Sequence, residues 1–221
     1  MRRAWRYARR RGGRVSFAVV DTRGRLRGRD ADRRYVSASV VKVLLLVAEL
    51  RRLQHNRIPL DEASERLLTA MITVSDNAAA DAIYARVGDA ALVEVARLGR
   101  MKRFSVAGHW TNAQVTAADL ACFFSHVRRL LPFRYRELAL DLLASVTPEQ
   151  RWGVPRAARR SWTVHFKGGW RRTARGQLVH QAAWLHDGYR DFAIAVLTDA
   201  QPSRLYAIHT IRGIGDRLLA H

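Results

Sequence analysis

The order of apolar and polar positions predicts strands at both ends of the chain and helices between them. Apolar residues dominate positions 13–21 and a short segment near 26–28, which predicts a β-hairpin around Thr22-Arg23-Gly24-Arg25. Helical spacing follows over 40–53, 59–73, 78–87, 116–131 and 132–145. Strand-like patterns return over 162–167, 177–186 and 191–198, before a last helical segment at 204–219. Two early strands and three late strands therefore flank a helical middle.

This order predicts an α/β protein of the α+β type, with one antiparallel sheet of about five strands packed against helices. A doubly wound parallel sheet is not expected, because regular crossover helices do not separate the strands. The 221 residues are expected to form one domain, 1–221, with its sheet region at about 1–54 and 160–221 and a helical sub-region at about 55–159. The sequence has no run of about 18 apolar residues, so no transmembrane segment is expected.

The net charge of +20 is the largest departure from average composition. Such a charge favours attraction to anionic surfaces. It does not by itself predict nucleic-acid binding, because the arginines are spread through every segment and no zinc-finger, helix-turn-helix or RNA-binding pattern occurs. A single cysteine, Cys122, excludes an intrachain disulfide and is interpreted as a buried helix residue. The chain is expected to be a monomer.

Lysine is rare in this chain, and its positions point to chemistry. Of 39 basic residues only Lys42, Lys102 and Lys167 are lysines, and the others are arginines. Arginine keeps its proton in a protein, whereas a buried lysine can lose its proton and act as a base. Lys42 closes the segment Ser39-Val40-Val41-Lys42, which is predicted to begin a helix at Ser39. Lys167 opens Lys167-Gly168-Gly169 on a predicted strand.

A third motif, Ser75-Asp76-Asn77, lies between these two. In this order the three motifs resemble S-x-x-K, S-D-N and K-T-G of the class A β-lactamases and penicillin-binding proteins. The segments Tyr35-Val36-Ser37-Ala38-Ser39 and Trp152-Gly153-Val154-Pro155 are also similar to that family, as is the ending of two strands and a helix. The resemblance covers nearly the whole chain.

The resemblance implies a serine hydrolase that forms an acyl-serine intermediate with β-lactam-like or peptidoglycan-like amides. Ser39 is the expected nucleophile, and Lys42, which shares its helix face at i+3, is the expected base. Ser75 is expected to pass a proton to the leaving group. Asn77 is expected to hold Lys42 and a substrate amide, and Lys167 to place positive charge near Ser75 or a substrate carboxylate.

The same resemblance assigns substrate binding to the third motif and the residues after it. The implied substrate-binding residues are Gly168, Gly169, Trp170 and Arg171. The backbone N–H groups of Ser39 and Trp170 are the implied oxyanion hole. Gly168 stands where the family usually has threonine or serine, so a hydroxyl that binds a substrate carboxylate is missing. Arg171 or Arg172 is a candidate to replace that contact.

The larger departure concerns hydrolysis of the acyl-enzyme. Class A β-lactamases activate water with a glutamate in an E-x-x-L-N loop, and this chain has no such motif and no acidic residue over 95–118. His109 and Asn112 are the candidate substitutes in that stretch. The sequence therefore predicts weak deacylation. The histidines show no compact ligand spacing, so neither a metal nor a cofactor is expected.

Three hypotheses about function stay open. The chain is an enzyme that turns its substrate over, a penicillin-binding sensor or pseudoenzyme that is acylated without turnover, or a basic non-enzymatic binding protein on the same fold. The resemblance implies an extracytoplasmic location, near peptidoglycan. The N-terminal segment has the positive charge of an export signal but no apolar stretch after it, so two alternatives stay open: the protein stays inside the cell, or an export segment lies outside this sequence.

Overall fold

A computed structural model describes residues 1–220 as eight strands and eight helices. The strands are β1 (Arg14–Val20), β2 (Leu26–Arg29), β3 (Tyr35–Val36), β4 (Ser105–Ala107), β5 (His109–Val115), β6 (Thr163–Thr173), β7 (Gly176–His186) and β8 (Asp191–Gln201). The helices are α1 (Arg2–Arg9), α2 (Lys42–His55), α3 (Glu62–Thr69), α4 (Asn77–Leu98), α5 (Ala117–Leu130), α6 (Arg136–Ala144), α7 (Val154–Ala157) and α8 (Arg204–Leu218).

The main sheet is antiparallel and has five strands in the order β2-β1-β8-β7-β6. The prediction of a five-stranded antiparallel sheet built from both ends of the chain is therefore confirmed. Helices α1 and α8 pack on one face, through residues such as Ala4 and Ile211. Helices α2, α4 and α5 form a second apolar core that includes residues of the other face, such as Ala18 and Ala195. Because both faces are covered, the strands are apolar on both sides.

Helix α2 is the central helix of the larger core. Its residues from Lys42 to Leu50 are all buried, as expected for a helix that is apolar nearly all round. The carboxylate of α2, Glu49, is buried and accepts hydrogen bonds from Arg52 at 2.7 and 2.9 Å and from Arg86 at 3.2 Å. Lys42 begins this helix in the core, so its ammonium group must find partners there.

Several boundaries differ from the predictions. The helix predicted over 78–87 continues to Leu98, because Gly88 (φ 67°, ψ −178°) kinks α4 instead of ending it. The helix predicted over 59–73 changes at Ala70 into a π-helical turn that ends before Ser75. The strand predicted over 162–167 extends to Thr173.

Helix α1, the four-residue helix α7 and a small second sheet were not predicted. Helix α1 contains four arginines and buries only Ala4 and Ala8, so its apolar face consists of two small residues one turn apart. The strands β3, β5 and β4 form this second sheet. β3 and β4 have only two and three residues, and the seven residues of β5 include only three apolar ones, so the sequence pattern is weak. Among residues 1–220, no helix has the length and apolar character that crossing a membrane requires.

Candidate active site

Ser39 lies in a tight 3₁₀ turn, Ala38–Val41, directly before α2. The predicted helix start at Ser39 is thus displaced to Lys42. Ala38 has a φ of +46°, a left-handed conformation that is uncommon for residues other than glycine. The turn is tied to its surroundings because the N–H of Ser37 donates to the carbonyl of Ala113 at 2.8 Å. Ser39 itself is partly buried, and its hydroxyl has no hydrogen-bond partner within the described part of the chain.

Gly169 brings strand β6 against this turn. A Cβ atom at Gly169 would lie 2.6 Å from the backbone nitrogen of Ser39 and 2.9 Å from that of Val40. Only glycine leaves room for these amides beside β6. The second glycine of the predicted motif is therefore required by the close approach of β6 to the turn that carries Ser39.

Lys42 is fully buried, and its side chain points at the Ser75-Asp76-Asn77 segment. Its Nζ donates to the carbonyl of Ser75 at 2.7 Å, to the carbonyl of Asp76 at 3.0 Å and to Oδ1 of Asn77 at 2.7 Å. Three acceptors match the three N–H bonds of an ammonium group. Burial lowers the pKa of Lys42 to about 8, and the carboxylates of Asp76 and Asp81 oppose that shift.

Lys167 is also fully buried, and it reaches the same segment from β6. Its Nζ donates to the hydroxyl of Ser75 at 3.0 Å and to the carbonyl of Gly168 at 3.0 Å. Burial and the charge of Lys42 lower the pKa of Lys167 to about 7. Ser75 thus contacts one lysine through its backbone oxygen and the other through its hydroxyl.

The backbone conformation of Ser75 allows this double contact. Ser75 is left-handed (φ 64°, ψ 34°) and ends the π-helical turn that follows α3. Asp76 then caps α4, since its carboxylate accepts a hydrogen bond from the N–H of Ala79 at 2.7 Å. The first residue of α4 is Asn77, whose side chain meets Lys42. Asp76, the middle residue of the motif, therefore stabilises the start of α4, the helix that positions Asn77.

The absence of a hydroxyl at Gly168 has a steric explanation. A Cβ atom there would lie 3.2 Å from two ring atoms of Trp152, so the indole occupies the space of a larger side chain. Trp152 also packs edge-on against Trp170, with ring centroids 6.1 Å apart. The guanidinium of Arg204 lies 4.2 Å from the centroid of the Trp170 ring. Two strands, β7 and β8, separate Arg204 from β6 in the chain. No sequence pattern indicated that Arg204 lies near the site.

The two arginines after the third motif lie on opposite faces of β6. Side chains alternate along a strand, so Arg171 shares a face with Lys167 and Gly169, and Arg172 points the other way. Both arginines are exposed. Of the two candidates for carboxylate binding, Arg171 is the one on the same face as the site.

Two residues beside Lys42 were missed from the sequence. Trp110 of β5 places its ring centroid 5.0 Å from Nζ of Lys42 and donates its indole N–H to Asp81 at 2.7 Å. Asp81 follows Asn77 by one helical turn on α4, so its i+4 spacing was the available signal for its place beside the site. For Trp110 no such spacing exists, because β5 is distant in sequence from α2 and α4.

His109 and Asn112, the predicted substitutes for a deacylating glutamate, lie on β5. The Nε2 atom of His109 is 3.2 Å from the carboxylate of Asp81, and its Nδ1 is 2.8 Å from the hydroxyl of Thr111. Both ring nitrogens therefore have partners. Asn112 is exposed, and its amide donates to the carbonyl of Ala107 within the hairpin at 2.9 Å. Neither side chain presents a free base in this arrangement.

The chain is similar to known proteins in sequence and in fold. A family model described as the β-lactamase enzyme family matches residues 63–221, which include the second and third motifs. No curated protein sequence matches the chain. Among solved structures, the chain is similar to PBP-A, with a TM-score of 0.85, 16% identity and coverage of 100% of this chain and 95% of that one.

Two β-lactamases show the same likeness. The enzyme from Sphaerobacter thermophilus DSM 20745 has a TM-score of 0.83 and 20% identity, over 98% of this chain and 94% of that one. An ancestral class A β-lactamase has a TM-score of 0.80 and 21% identity, over 98% of this chain and 97% of that one. These structures share the fold, and the family model covers well over half of the sequence. The chain belongs to the β-lactamase enzyme family.

Proposed function

We propose that the protein is a serine hydrolase that forms an ester between Ser39 and the acyl group of a β-lactam-like or peptidoglycan-like amide. One observation carries the proposal: two buried lysines converge on the Ser75-Asp76-Asn77 segment, and Gly169 places β6 against the amide of Ser39. Burying two amines side by side is unfavourable for folding, which is typical of catalytic sites.

Lys42 is the proposed base for the Ser39 hydroxyl. With a pKa of about 8, about a tenth of Lys42 is neutral at pH 7. The neutral amine has two N–H bonds and one lone pair, so it releases one of its three present acceptors. The lone pair then accepts the Ser39 proton while Oγ forms a bond to the substrate carbonyl carbon.

The negative charge on the substrate oxygen is stabilised by the N–H groups of Ser39 and Trp170 in this proposal. β6 is an edge strand, so its outward backbone groups are not paired within the sheet. The carbonyl of Gly168 accepts a hydrogen bond from Nζ of Lys167, which supports an orientation toward the site. Residues two apart in a strand orient their backbone groups alike, so the N–H of Trp170 faces the same edge.

Ser75 is the proposed donor to the leaving group. Its hydroxyl gives a proton to the leaving nitrogen as the carbonyl carbon–nitrogen bond breaks, and Lys167, 3.0 Å from that hydroxyl, resupplies the proton. Oδ1 of Asn77 is engaged by Lys42, which leaves its amide N–H₂ for the substrate. Lys167 adds positive charge for a substrate carboxylate on the side of the leaving group.

The second step, hydrolysis of the acyl-enzyme, is proposed to be slow. Water needs a base to attack the Ser39 ester, and both nitrogens of His109 are engaged by Asp81 and Thr111. Asp76, the acidic residue of the second motif, is occupied as a helix cap. This observation favours a second candidate function, a penicillin-binding sensor that stays acylated.

Intact-mass spectrometry after mixing with benzylpenicillin tests the proposal. We expect one penicilloyl adduct per chain that persists for minutes or longer, and no adduct on Ser39→Ala. The thermal midpoint of Ser39→Ala should be nearly unchanged, because the Ser39 hydroxyl has no hydrogen-bond partner among the described residues and caps no helix. The exposed Ser145→Ala is the matched control and should be labelled like the wild type.

Three other outcomes are distinguishable. An undiminished adduct on Ser39→Ala would contradict the assignment of the nucleophile. Consumption of penicillin at about ten turnovers per second, a median enzyme rate, with no lasting adduct would contradict slow deacylation. Neither adduct nor consumption would favour the basic non-enzymatic binding protein.

A further inference from the structure

A cavity of about 460 Å³ lies beside the Ser39 turn, where β3 and β5 meet the far end of β6. Tyr35, Leu178 and Asp199 form buried parts of its wall. Four exposed arginines also line it: Arg14, Arg34, Arg171 and Arg175. We call it the arginine cavity. Its volume is in the range of small-molecule binding sites.

The charge of the arginine cavity is poorly balanced. Asp199 is its one acidic lining residue, and its carboxylate already accepts from Arg175 at 2.7 Å and from the N–H of Ala200 at 2.8 Å. Arg14 lies opposite Asp199 in the β1–β8 register. Neither Arg34 nor Arg171 forms an ion pair with any residue between 1 and 220. Unpaired guanidinium groups around a concave surface raise the local concentration of anions.

Arg171 connects this cavity to the candidate active site. It follows Gly169 by two residues on the same face of β6, a step of about 7 Å along the strand. Gly169 pairs with His180 on β7, and Arg171 pairs with Leu178 two residues along the same ladder. Both Arg171 and Leu178 line the cavity. Tyr35 leads directly into the turn that contains Ser39.

The positions of Ser75 and of the arginine cavity along β6 determine how the substrate is oriented. Ser75 and Lys167, the proposed proton source for the leaving group, lie on one side of Gly169 along the strand. The arginine cavity lies on the other side, next to Arg171. A substrate whose leaving group points to Ser75 therefore extends its acyl part toward the arginine cavity.

We propose that the arginine cavity binds an anionic group on the acyl side of the substrate, and that Arg34 and Arg171 contact this group. The inference rests on the proposed function, because it uses the direction in which the leaving group departs. The substrate class it names is an amide or ester whose acyl part carries a carboxylate. Guanidinium groups bind carboxylates in a bidentate manner, which fixes the orientation of the acyl part as well as its affinity.

Two penicillins that differ by one carboxylate on the acyl side chain test the inference. The second-order acylation rate constants of benzylpenicillin and carboxybenzylpenicillin are measured by intact mass. We expect the carboxylated compound to react about tenfold faster, the size of one charged hydrogen bond. Arg34→Gln and Arg171→Gln should each reduce this ratio toward one. Arg172→Gln, on the opposite face of β6, is the matched control and should keep it.

Binding to Ser39→Ala, measured by calorimetry, separates this inference from the proposed function. Tighter binding of carboxybenzylpenicillin, removed by Arg171→Gln in the same background, would support the arginine cavity even if the wild type were never acylated. Equal acylation of both penicillins would overturn the arginine cavity as a substrate site and leave the acyl-Ser39 mechanism intact. Equal or absent binding to Ser39→Ala would overturn the cavity proposal whatever the acylation experiment shows.

Discussion

Two parts of the site differ in the reactive groups that they provide. The lysine side consists of Lys42, Lys167 and the second motif, and the hairpin side consists of β4 and β5. On the lysine side, Lys42 and Lys167 make five hydrogen bonds of 2.7 to 3.0 Å, four of them to residues of the second motif. On the hairpin side, His109 has both nitrogens engaged. The lysines and Asn77 proposed to act in acyl transfer lie on α2, β6 and α4, which belong to the core. The candidate hydrolytic base, His109, lies on the peripheral hairpin.

Of the changes considered, replacing Lys42 with arginine should reduce the rate of acylation most. Arginine keeps the charge but cannot lose its proton, so Lys42→Arg removes the proposed base. We expect acylation by benzylpenicillin to fall by about 10²–10⁴-fold, the usual contribution of general-base catalysis. Stopped-flow or intact-mass kinetics give the rate constant.

The matched control is Lys102→Arg, because Lys102 is the exposed lysine of the chain. It should acylate at the wild-type rate. Wild-type acylation of Lys42→Arg would show that Lys42 acts only through its charge and that another group accepts the proton.

The next largest fall in the acylation rate is expected from a change at Gly169, where β6 lies close to Ser39. Gly169→Ala places a Cβ atom 2.6 Å from the backbone nitrogen of Ser39, so β6 must move away from the proposed oxyanion hole. We expect acylation to fall by about 10²-fold, as for the loss of one oxyanion donor. Gly168→Ala is the control, since its Cβ would meet the Trp152 ring at 3.2 Å and not the Ser39 turn. Equal losses in the two variants would count against a special role of the Ser39 amide.

The sequence predicted the strands of the sheet because each strand has its own pattern of apolar residues. The three motifs could be recognised because each consists of neighbouring residues. Strand patterns at the two ends implied the antiparallel sheet, and the structure confirms it. Ser39 lies in the 3₁₀ turn Ala38–Val41 and Lys42 begins α2, and residues three apart lie on the same side of a 3₁₀ turn. Short motifs survive small errors in helix boundaries, because the spacing of two neighbouring residues changes little.

The parts that escaped prediction depend on contacts between distant segments. Trp110 contacts Lys42 from β5, a strand with only three apolar residues among seven. Trp152 explains Gly168 only through tertiary packing. The arginine cavity joins residues from Arg14 to Asp199, and no window of the sequence contains them together. Such sites form only when folding brings these distant segments together.

Burial of the lysines should also be visible in the stability of the protein. Lys167 has its pKa lowered from 10.5 to about 7, so between about pH 7 and 10.5 the unfolded chain binds more protons than the folded one. The free energy of unfolding therefore rises with pH in this window. In Lys167→Met, we expect this rise between pH 7 and 9.5 to be smaller by about 2 kcal/mol.

Urea denaturation of the wild type and Lys167→Met at both pH values measures the difference. Lys42 stays in both proteins, so the comparison measures Lys167 together with its electrostatic coupling to Lys42. Methionine also removes a buried amine, and Lys167→Met should be the more stable protein at pH 7. Parallel stability curves for the two proteins would mean that Lys167 is protonated in the folded state throughout this range.

The smallest effect is expected on the hairpin side, from His109→Ala. If His109 is held by Asp81 and Thr111 and activates no water, its removal should change the release rate of the penicilloyl adduct by less than about twofold, far below the effect of losing a general base. The measurement follows the decay of the adduct by intact mass from pH 6 to 8, the range in which an active histidine base would titrate. Asn112→Ala serves as the control from the same hairpin. A release rate that falls tenfold or more in His109→Ala alone, with loss of its pH dependence, would show that His109 leaves Asp81 in the acyl-enzyme and is the hydrolytic base.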